Sequence, residues 1–211
     1  MTAVIICGGK IQHYEYLKKY FRDASLVISA DSGARHCKSF GVIPDLLVGD
    51  FDSISEADYG GLKAAGTQIQ RFPVEKDMTD SELAVEIAIE KGCNKIILLG
   101  AMGTRLDHSL SNLFLLKKLL DAGVEGVVAD ENNEVKLIKD SILLDREEGT
   151  NITLLPLAGS AKGVTTKGLY YPLTNATLEV GSSWGVSNLF SEDRAQVTVE
   201  EGYLLIIKAR D

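Results

Sequence analysis

The feature that most constrains this chain is a repeat of short, continuous apolar runs, each ending in glycine or aspartate and followed by a helical pattern. Ala3–Cys7 ends in Gly8-Gly9, Leu26–Ala30 in Asp31-Ser32-Gly33, Leu46–Val48 in Gly49-Asp50, Ile96–Leu99 in Gly100, and Val127–Ala129 in Asp130. Apolar runs without polar alternation suit strands buried on both faces, as in a parallel sheet. Between them, Thr79–Lys91 sets Leu83, Ala84, Ile87 and Ala88 at helical spacing, and Asp107–Ala122 does the same with Leu110, Leu113 and Phe114. Gly92 and Gly123 stand where a helix ends in a left-handed residue. The pattern predicts a doubly wound, mostly parallel α/β domain over residues 1–132.

From Asn133 the texture changes. Val135–Ile138, Ile142–Leu144, Ile152–Leu155, Thr177–Val180, Ala195–Val199 and Tyr203–Ala209 read as strands. Turn signals separate them, among them Lys139-Asp140, Gly159-Ser160 and Gly181-Ser182-Ser183, and no useful helical period intervenes. Residues 133–211 are therefore expected to form an all-β sandwich domain. No Pro- or Ser-rich linker marks the boundary.

Composition enters by exclusion. Of 211 residues 45% are apolar, enough chain for one large core or two small ones, and the net charge is −8 without a basic run. Non-specific nucleic-acid binding is thus not expected. No apolar run approaches the roughly 18 residues that span a bilayer. The N-terminus lacks a charged segment before its apolar stretch, so no secretory leader is expected. Cys7, Cys37 and Cys93 are odd in number, widely spaced and without a C-x-x-C, which argues against a disulfide framework or a cysteine zinc site. The cytoplasm is the expected compartment.

In parallel α/β sheets ligands bind at the carboxyl ends of strands. Here those ends carry Gly8-Gly9, Asp31, Asp50-Phe51-Asp52 and Gly100–Gly103, with Lys76-Asp77-Met78-Thr79-Asp80 just before a helix. If residues 49–53 are extended, Asp50 and Asp52 project together and Phe51 turns into the core. Two carboxylates about 6 Å apart repel by roughly 0.7 kcal/mol in bulk water and nearer 3 kcal/mol at an effective dielectric of 20. A half-buried crevice of this kind calls for a cation, and hard oxygen ligands select Mg²⁺, Mn²⁺ or Ca²⁺ over zinc. Gly100–Gly103 followed by Arg105, Asp107 and His108 at a helix start can cradle phosphate. Structural explanations stand beside these: Thr79, Asp77 or Asp107 as helix caps, Asp31-Ser32-Gly33 as a plain turn, and His13, His36 and His108 as packing residues. The chain has no G-x-x-x-x-G-K-[ST], no G-x-G-x-x-G after its first strand and no zinc-spaced His/Cys cluster.

Five segments taken together resemble the thiamine pyrophosphokinase family: Ala30-Asp31-Ser32-Gly33-Ala34, Pro44–Ser53 with its Gly49-Asp50-Phe51-Asp52-Ser53, Lys76–Asp80, Gly103–His108, and Gly185-Val186-Ser187-Asn188. They fall in the family's order and span most of the chain. The resemblance implies an α/β domain followed by a β-sandwich domain. It also implies Mg²⁺-dependent transfer of pyrophosphate from ATP to the hydroxyethyl oxygen of thiamine, giving thiamine diphosphate and AMP. It implies a homodimer with thiamine held between the α/β domain of one chain and the β domain of the other. By position, Asp50, Asp52 and Asp80 match the Mg²⁺ aspartates. Asp31, Thr79, Arg105 and Asp107 match nucleotide- and phosphate-handling residues, with Gly8, Gly9 and His108 beside them. Ser187 and Asn188 match the thiamine segment, and Trp184 next to it can stack on a thiamine ring. Some relatives carry Gln where this chain has Lys76, a cation able to serve a phosphate. A metal-site aspartate or Asp107 is expected to accept the hydroxyl proton. Alternatives are a pyrophosphokinase for another hydroxymethyl heterocycle such as a pterin, a metal-dependent phosphohydrolase, and a non-catalytic nucleotide or thiamine sensor.

Overall fold

The structure, a computed structural model, describes residues 1–210. The chain is a mixed α/β protein that divides into two compact units, Met1–Glu131 and a second beginning at Asn132. Among the described residues no helix is long and apolar enough to cross a membrane.

Six parallel strands organise the first unit: β1 (Thr2–Ile6), β2 (Leu26–Ala30), β3 (Leu46–Gly49), β4 (Gln68–Arg71), β5 (Lys95–Leu99) and β6 (Glu125–Ala129). They lie in the order β4-β3-β2-β1-β5-β6. Val4 pairs with Val27 on one side and Ile97 on the other, so β1 is central. Ala3 to Ile6 are wholly buried, which is why these runs carry no polar alternation. Successive side chains leave opposite faces of a strand. Val4, Ile6, Leu47, Ile97, Leu99 and Val127 share one core with Leu17 of α1 (Tyr14–Leu17), Cys37 and Phe40 of α2 (Ala34–Phe40) and Leu62 of α3 (Glu56–Ala64). The other face receives α4 (Asp80–Glu90), which lies over β1, β2 and β3, and α5 (Leu106–Asp121), which lies on β6. Leu116 and Leu119 of α5 press so closely on Gly126 that a Cβ there would come within 2.9 Å of both.

Both predicted helices are present within a residue of their expected bounds, and Gly92 and Gly123 end them at φ 79° and 72°. The buried face of α5 differs from expectation. It is Ser109, Asn112, Leu115, Leu116 and Leu119, whereas Leu110 and Phe114 are exposed. The segments that became α2, α3 and the edge strand β4 carried no apolar periodicity to announce them.

The second unit is antiparallel: β7 (Asn133–Ile138), β8 (Ser141–Asp145), β9 (Asn151–Lys167), β10 (Ala176–Leu178), β11 (Arg194–Thr198) and β12 (Glu201–Ala209). The order is β7-β12-β9-β11-β8, with β10 on β9. Ile138, Leu144, Ile152, Leu154, Val164, Val197, Leu204 and Ile206 fill its core. The turn expected at Gly159-Ser160 is instead a deformation inside one 17-residue strand. Ala158 and Gly159 take φ of 60° and 122°, Gly163 takes 67°, and the register against β12 shifts opposite them. Extra residues are absorbed as a bulge, so turn chemistry bends the strand without ending it. Before the bulge β9 pairs with β12 (Asn151 to Leu157); beyond it Thr165 to Lys167 pair with β11.

Candidate active site

Strand order reverses between β1 and β5, and such a switch point leaves a crevice beyond the strand ends. The loops there are joined by backbone bonds, Cys7 N–H to Leu99 O at 2.8 Å and Gly9 N–H to Gly100 O at 2.7 Å. A Cβ on Gly9 would collide with the carbonyl oxygens of Gly100 and Met102, so only glycine allows the approach. The crevice opens into a cleft of about 540 Å³. Its walls include Gly8, Gly9, Asp31, Asp50, Asp52, Lys76, Thr79, Asp80, Arg105 and His108 from the sequence reading, and Arg35, Ser109 and Asn112 besides.

The acidic wall is built on strained backbone. Asp31, in a 3₁₀ turn at the end of β2, has φ 41°; Phe51, between the two loop aspartates, has φ 67°. Residues 49–53 are therefore not extended, and Asp50 and Asp52 are brought together by a left-handed turn at Phe51 rather than by strand alternation. Phe51 is buried as expected, its ring 5.4 Å from that of Tyr59 and 5.3 Å from the Arg71 guanidinium. Asp50 Oδ1 accepts from Asp52 N–H at 3.1 Å, and Ser53 Oγ donates to Asp52 Oδ1 at 2.7 Å. One oxygen from each of Asp31, Asp50 and Asp52 lies within 4.8 Å of the other two. Asp31 Oδ1 is buried without a hydrogen-bond partner. Burial, then the neighbouring carboxylates of Asp80, Asp50 and Asp52, push the Asp31 carboxyl above its ordinary range. The Asp52 amide holds Asp50 below it, with help from Lys76. An orphaned buried oxygen among crowded hard donors fits Mg²⁺, Mn²⁺ or Ca²⁺.

Asp80 stands apart from that trio as the first residue of α4. Lys76 Nζ lies 3.1 Å from Asp80 Oδ1 and 3.5 Å from Asp50 Oδ2, and donates to Pro73 O at 3.2 Å. The Asp80 oxygen is off the line of a hydrogen bond, so that contact is an ion pair. Burial opposes the charge on Lys76, but the two carboxylates outweigh it and raise its pKa. Thr79 is the N-cap of α4, accepting from Glu82 N–H at 3.2 Å, while also facing the cleft.

On the opposite wall Arg105 occupies the N-cap position of α5 without a capping bond. Asp107, read above as a possible cap, lies inside the helix and takes Arg105 Nε at 3.2 Å and Nη2 at 2.5 Å. That exposed pair holds the Asp107 carboxyl at about 2, through the Arg105 hydrogen bond first. The glycine arm is fastened from below. Ser109 Oγ accepts from Gly103 N–H at 3.0 Å and donates to Arg105 O at 2.9 Å, and Asn112 Nδ2 donates to Ala101 O at 2.7 Å. The available signal for these two was a polar residue at positions 109 and 112 on the same helical stripe as Leu116 and Leu119.

A third support lies under Gly8-Gly9. His36 Nε2 is 2.8 Å from Gly9 O, and its Nδ1 is 2.8 Å from Tyr14 Oη. A carbonyl only accepts, so Nε2 carries the proton and Nδ1 accepts from Tyr14. The Arg35 Nε approach to Nε2 at 3.4 Å then meets no lone pair, and Arg35 is held by its Nη2 bond to Gly8 O. Burial lowers the His36 pKa, keeping the ring neutral.

Trp184, Ser187 and Asn188 belong to the second unit. Trp184 is 62% exposed. Ser187 has φ 59° and donates its N–H to Thr153 Oγ1 at 3.0 Å. Asn188 is buried with its amide spent on backbone: Nδ2 to Tyr171 O at 2.7 Å, and Oδ1 from Tyr171 N–H at 3.0 Å and Leu189 N–H at 2.9 Å. It fastens two loops together.

Known proteins resemble this chain in sequence and in fold. The sequence profile of the thiamin pyrophosphokinase catalytic domain matches residues 17–128, and that of the family's vitamin B1 binding domain matches residues 139–204. Thiamine pyrophosphokinase of Bacillus subtilis is 29% identical over 212 aligned residues, covering 100% of this chain and 99% of its own. The solved structure of the Bacillus subtilis thiamine pyrophosphokinase superposes over 100% of both chains with a TM-score of 0.92 at 28% identity. That from Geobacillus thermodenitrificans covers 100% of this chain and 98% of its own, with a TM-score of 0.86 at 29% identity. With both family domains matched in order and a full-length fold in common, the chain belongs to the thiamin pyrophosphokinase family.

Proposed function

We propose that the cleft at the switch point of the first unit holds ATP and Mg²⁺, and that the aspartates named above are its working residues. The chain is an enzyme of the thiamine pyrophosphokinase family, and its reaction joins thiamine and pyrophosphate. The observation that carries the residue-level reading is the convergence of Asp31, Asp50 and Asp52 carboxylates, one of them with an orphaned buried oxygen, beside two glycine loops.

In this reading residues 1–132 form a doubly wound catalytic domain and residues 133–211 a sandwich domain that binds thiamine. Asp50, Asp52 and Asp80 serve the metal, and the position of Asp31 adds it to the same group. Bound Mg²⁺ supplies positive charge that lets polyphosphate and carboxylates share one crevice. Gly8 and Gly9 let the nucleotide approach backbone, and Tyr14–His36 and Arg35 hold their carbonyls in place. Thr79, Arg105 and His108 face the phosphates, and Arg105 is oriented by Asp107. A cleft carboxylate, or Asp107, takes the hydroxyl proton of thiamine as the oxygen attacks the β-phosphorus in line, and the bond from that phosphorus to the α,β-bridging oxygen breaks so that AMP leaves. Trp184 and the Ser187-Asn188 segment receive thiamine, Asn188 by holding the loop at Tyr171. A homodimer in the cytoplasm, with active sites shared between chains, completes the proposal.

The test is product identification. With ATP, Mg²⁺ and thiamine the purified protein is expected to release AMP and thiamine diphosphate, and neither without Mg²⁺. Release of ADP would mean single phosphoryl transfer and overturn the reading. Turnover of a pterin alcohol in preference to thiamine would move the acceptor, and ATP loss without an acceptor would make the protein a hydrolase.

A further inference from the structure

Lys76 sits where a cation is wanted, yet it is part of the chain. Its Nζ donates a hydrogen bond to Pro73 O at 3.2 Å and forms ion pairs with Asp80 Oδ1 at 3.1 Å and Asp50 Oδ2 at 3.5 Å. The side chains of Lys76 and Asp50 are 14% and 13% exposed, so the pair is poorly screened. Asp50 belongs to two groups at once. It is a member of the open trio with Asp31 and Asp52, and it is a partner of Lys76. A divalent ion entering the trio would therefore lean on a carboxylate already half neutralised, with an ammonium beside it.

We infer that Lys76 is a built-in counter-cation that holds down the affinity of the acidic trio for bare divalent metal and makes metal and nucleotide load together. This rests on the proposed metal site. The physical reason is one of signs. Lys76 and a divalent ion repel each other across Asp50, so the tethered ammonium lowers the ion's occupancy. A polyphosphate reverses the balance, because both cations then have anionic oxygens to share. The Lys76 charge keeps the four carboxylates of the cleft from facing one another uncompensated. The same charge penalises metal that arrives without its nucleotide. Lys76 acts here as a positioning and loading residue, since its charge sets what the trio binds before any chemistry begins.

The experiment is a Mn²⁺ titration followed by the electron paramagnetic resonance signal of free Mn²⁺, on the full chain, with and without α,β-methylene-ATP. Wild type is expected to bind Mn²⁺ alone at least tenfold more weakly than with the nucleotide analogue. Lys76→Gln is expected to bind Mn²⁺ alone at least tenfold more tightly than wild type and to lose most of the gain from nucleotide. Lys76→Arg, which keeps the charge, is expected to behave like wild type. Equal Mn²⁺ affinity in wild type and Lys76→Gln, or weaker binding in the variant, would overturn the inference while leaving the metal site intact. Absence of Mn²⁺ binding in wild type with and without nucleotide would overturn the metal site itself, and the inference with it. If Lys76→Gln does not fold, the wild-type titrations decide: equal affinities with and without the analogue would sink the idea.

Discussion

Replacing Asp31 by Asn separates two roles of that carboxylate. Its oxygen lies within 4.8 Å of oxygens on Asp50 and Asp52. At that separation two unit charges repel by about 0.9 kcal/mol in bulk water and about 3.5 kcal/mol at an effective dielectric of 20. Asp31 is buried, and Lys76 offsets part of the charge on Asp50, so the lower figure is a sound floor. Two such pairs make about 2 kcal/mol that the metal-free fold carries as repulsion. Asn keeps the shape, accepts the Ser32 amide as Asp does, and tolerates the left-handed φ of 41° better than most residues. In EDTA, Asp31→Asn is therefore expected to melt about 4–8 °C above wild type, at about 2–4 °C per kcal/mol for a chain of this size. In saturating Mg²⁺ the order reverses, because wild type gains binding energy that the variant has lost. Differential scanning calorimetry in both buffers measures this. An Asp31→Asn variant that melts below wild type in EDTA would refute the claim that the carboxylates are crowded at a cost.

His36 makes stability depend on pH. Its folded pKa is depressed below the ordinary 6.5, so unfolding takes up a proton and stability declines as pH falls below that value. Urea unfolding between pH 7 and pH 5 is expected to show a shallower decline for His36→Gln than for wild type. Asn112→Ala strands the buried Ala101 carbonyl and is expected to cost about 1–3 kcal/mol; the loosened arm above it is expected to raise KM for ATP more than it lowers kcat, which steady-state kinetics will read. Asn188→Ala removes the partner of two Tyr171 backbone groups and is expected to cost about 3 kcal/mol, by the same reasoning on buried unsatisfied groups. An Asn188→Ala variant as stable as wild type to urea would contradict the fastening role.

The parallel strands were legible because their burial on both faces leaves unbroken apolar runs such as Ala3–Ile6. Helix α4 was legible from Leu83, Ala84, Ile87 and Ala88, and both long helices from the glycines that end them. Helix α2 was not, since Ala34–Phe40 is seven residues of mixed polarity. Helix α3 carries Gly60 and Gly61, and β4 is an exposed edge, Gln-Ile-Gln-Arg. Gly159-Ser160 misled because a bulge and a turn use the same residues. Local pattern also cannot tell which face of α5 is buried when Ser109 and Asn112 point inward to hold a loop. At the cleft, spacing suggested that Asp50 and Asp52 belong together. The seating of Asp31 beside them depends on contacts distant in sequence: its left-handed backbone and its packing against Gly49, where a Cβ would lie 2.9 Å from its own. The partition of Asp80 toward Lys76 follows from the first turn of α4, which sequence spacing alone leaves free.

The unbroken 17-residue course of β9 has a consequence for how the second unit comes apart. One strand is hydrogen-bonded to β12 along its first half and to β11 at its last three residues, Thr165 to Lys167. Neither set of neighbours can detach without exposing amides on a rod that the other set still grips, so the unit opens as one body. Amide protons on β12 and on β11, the two strands that β9 grips, are then expected to exchange with solvent through a single common event, and the bulge at Ala158–Gly163 serves as a bend rather than a seam.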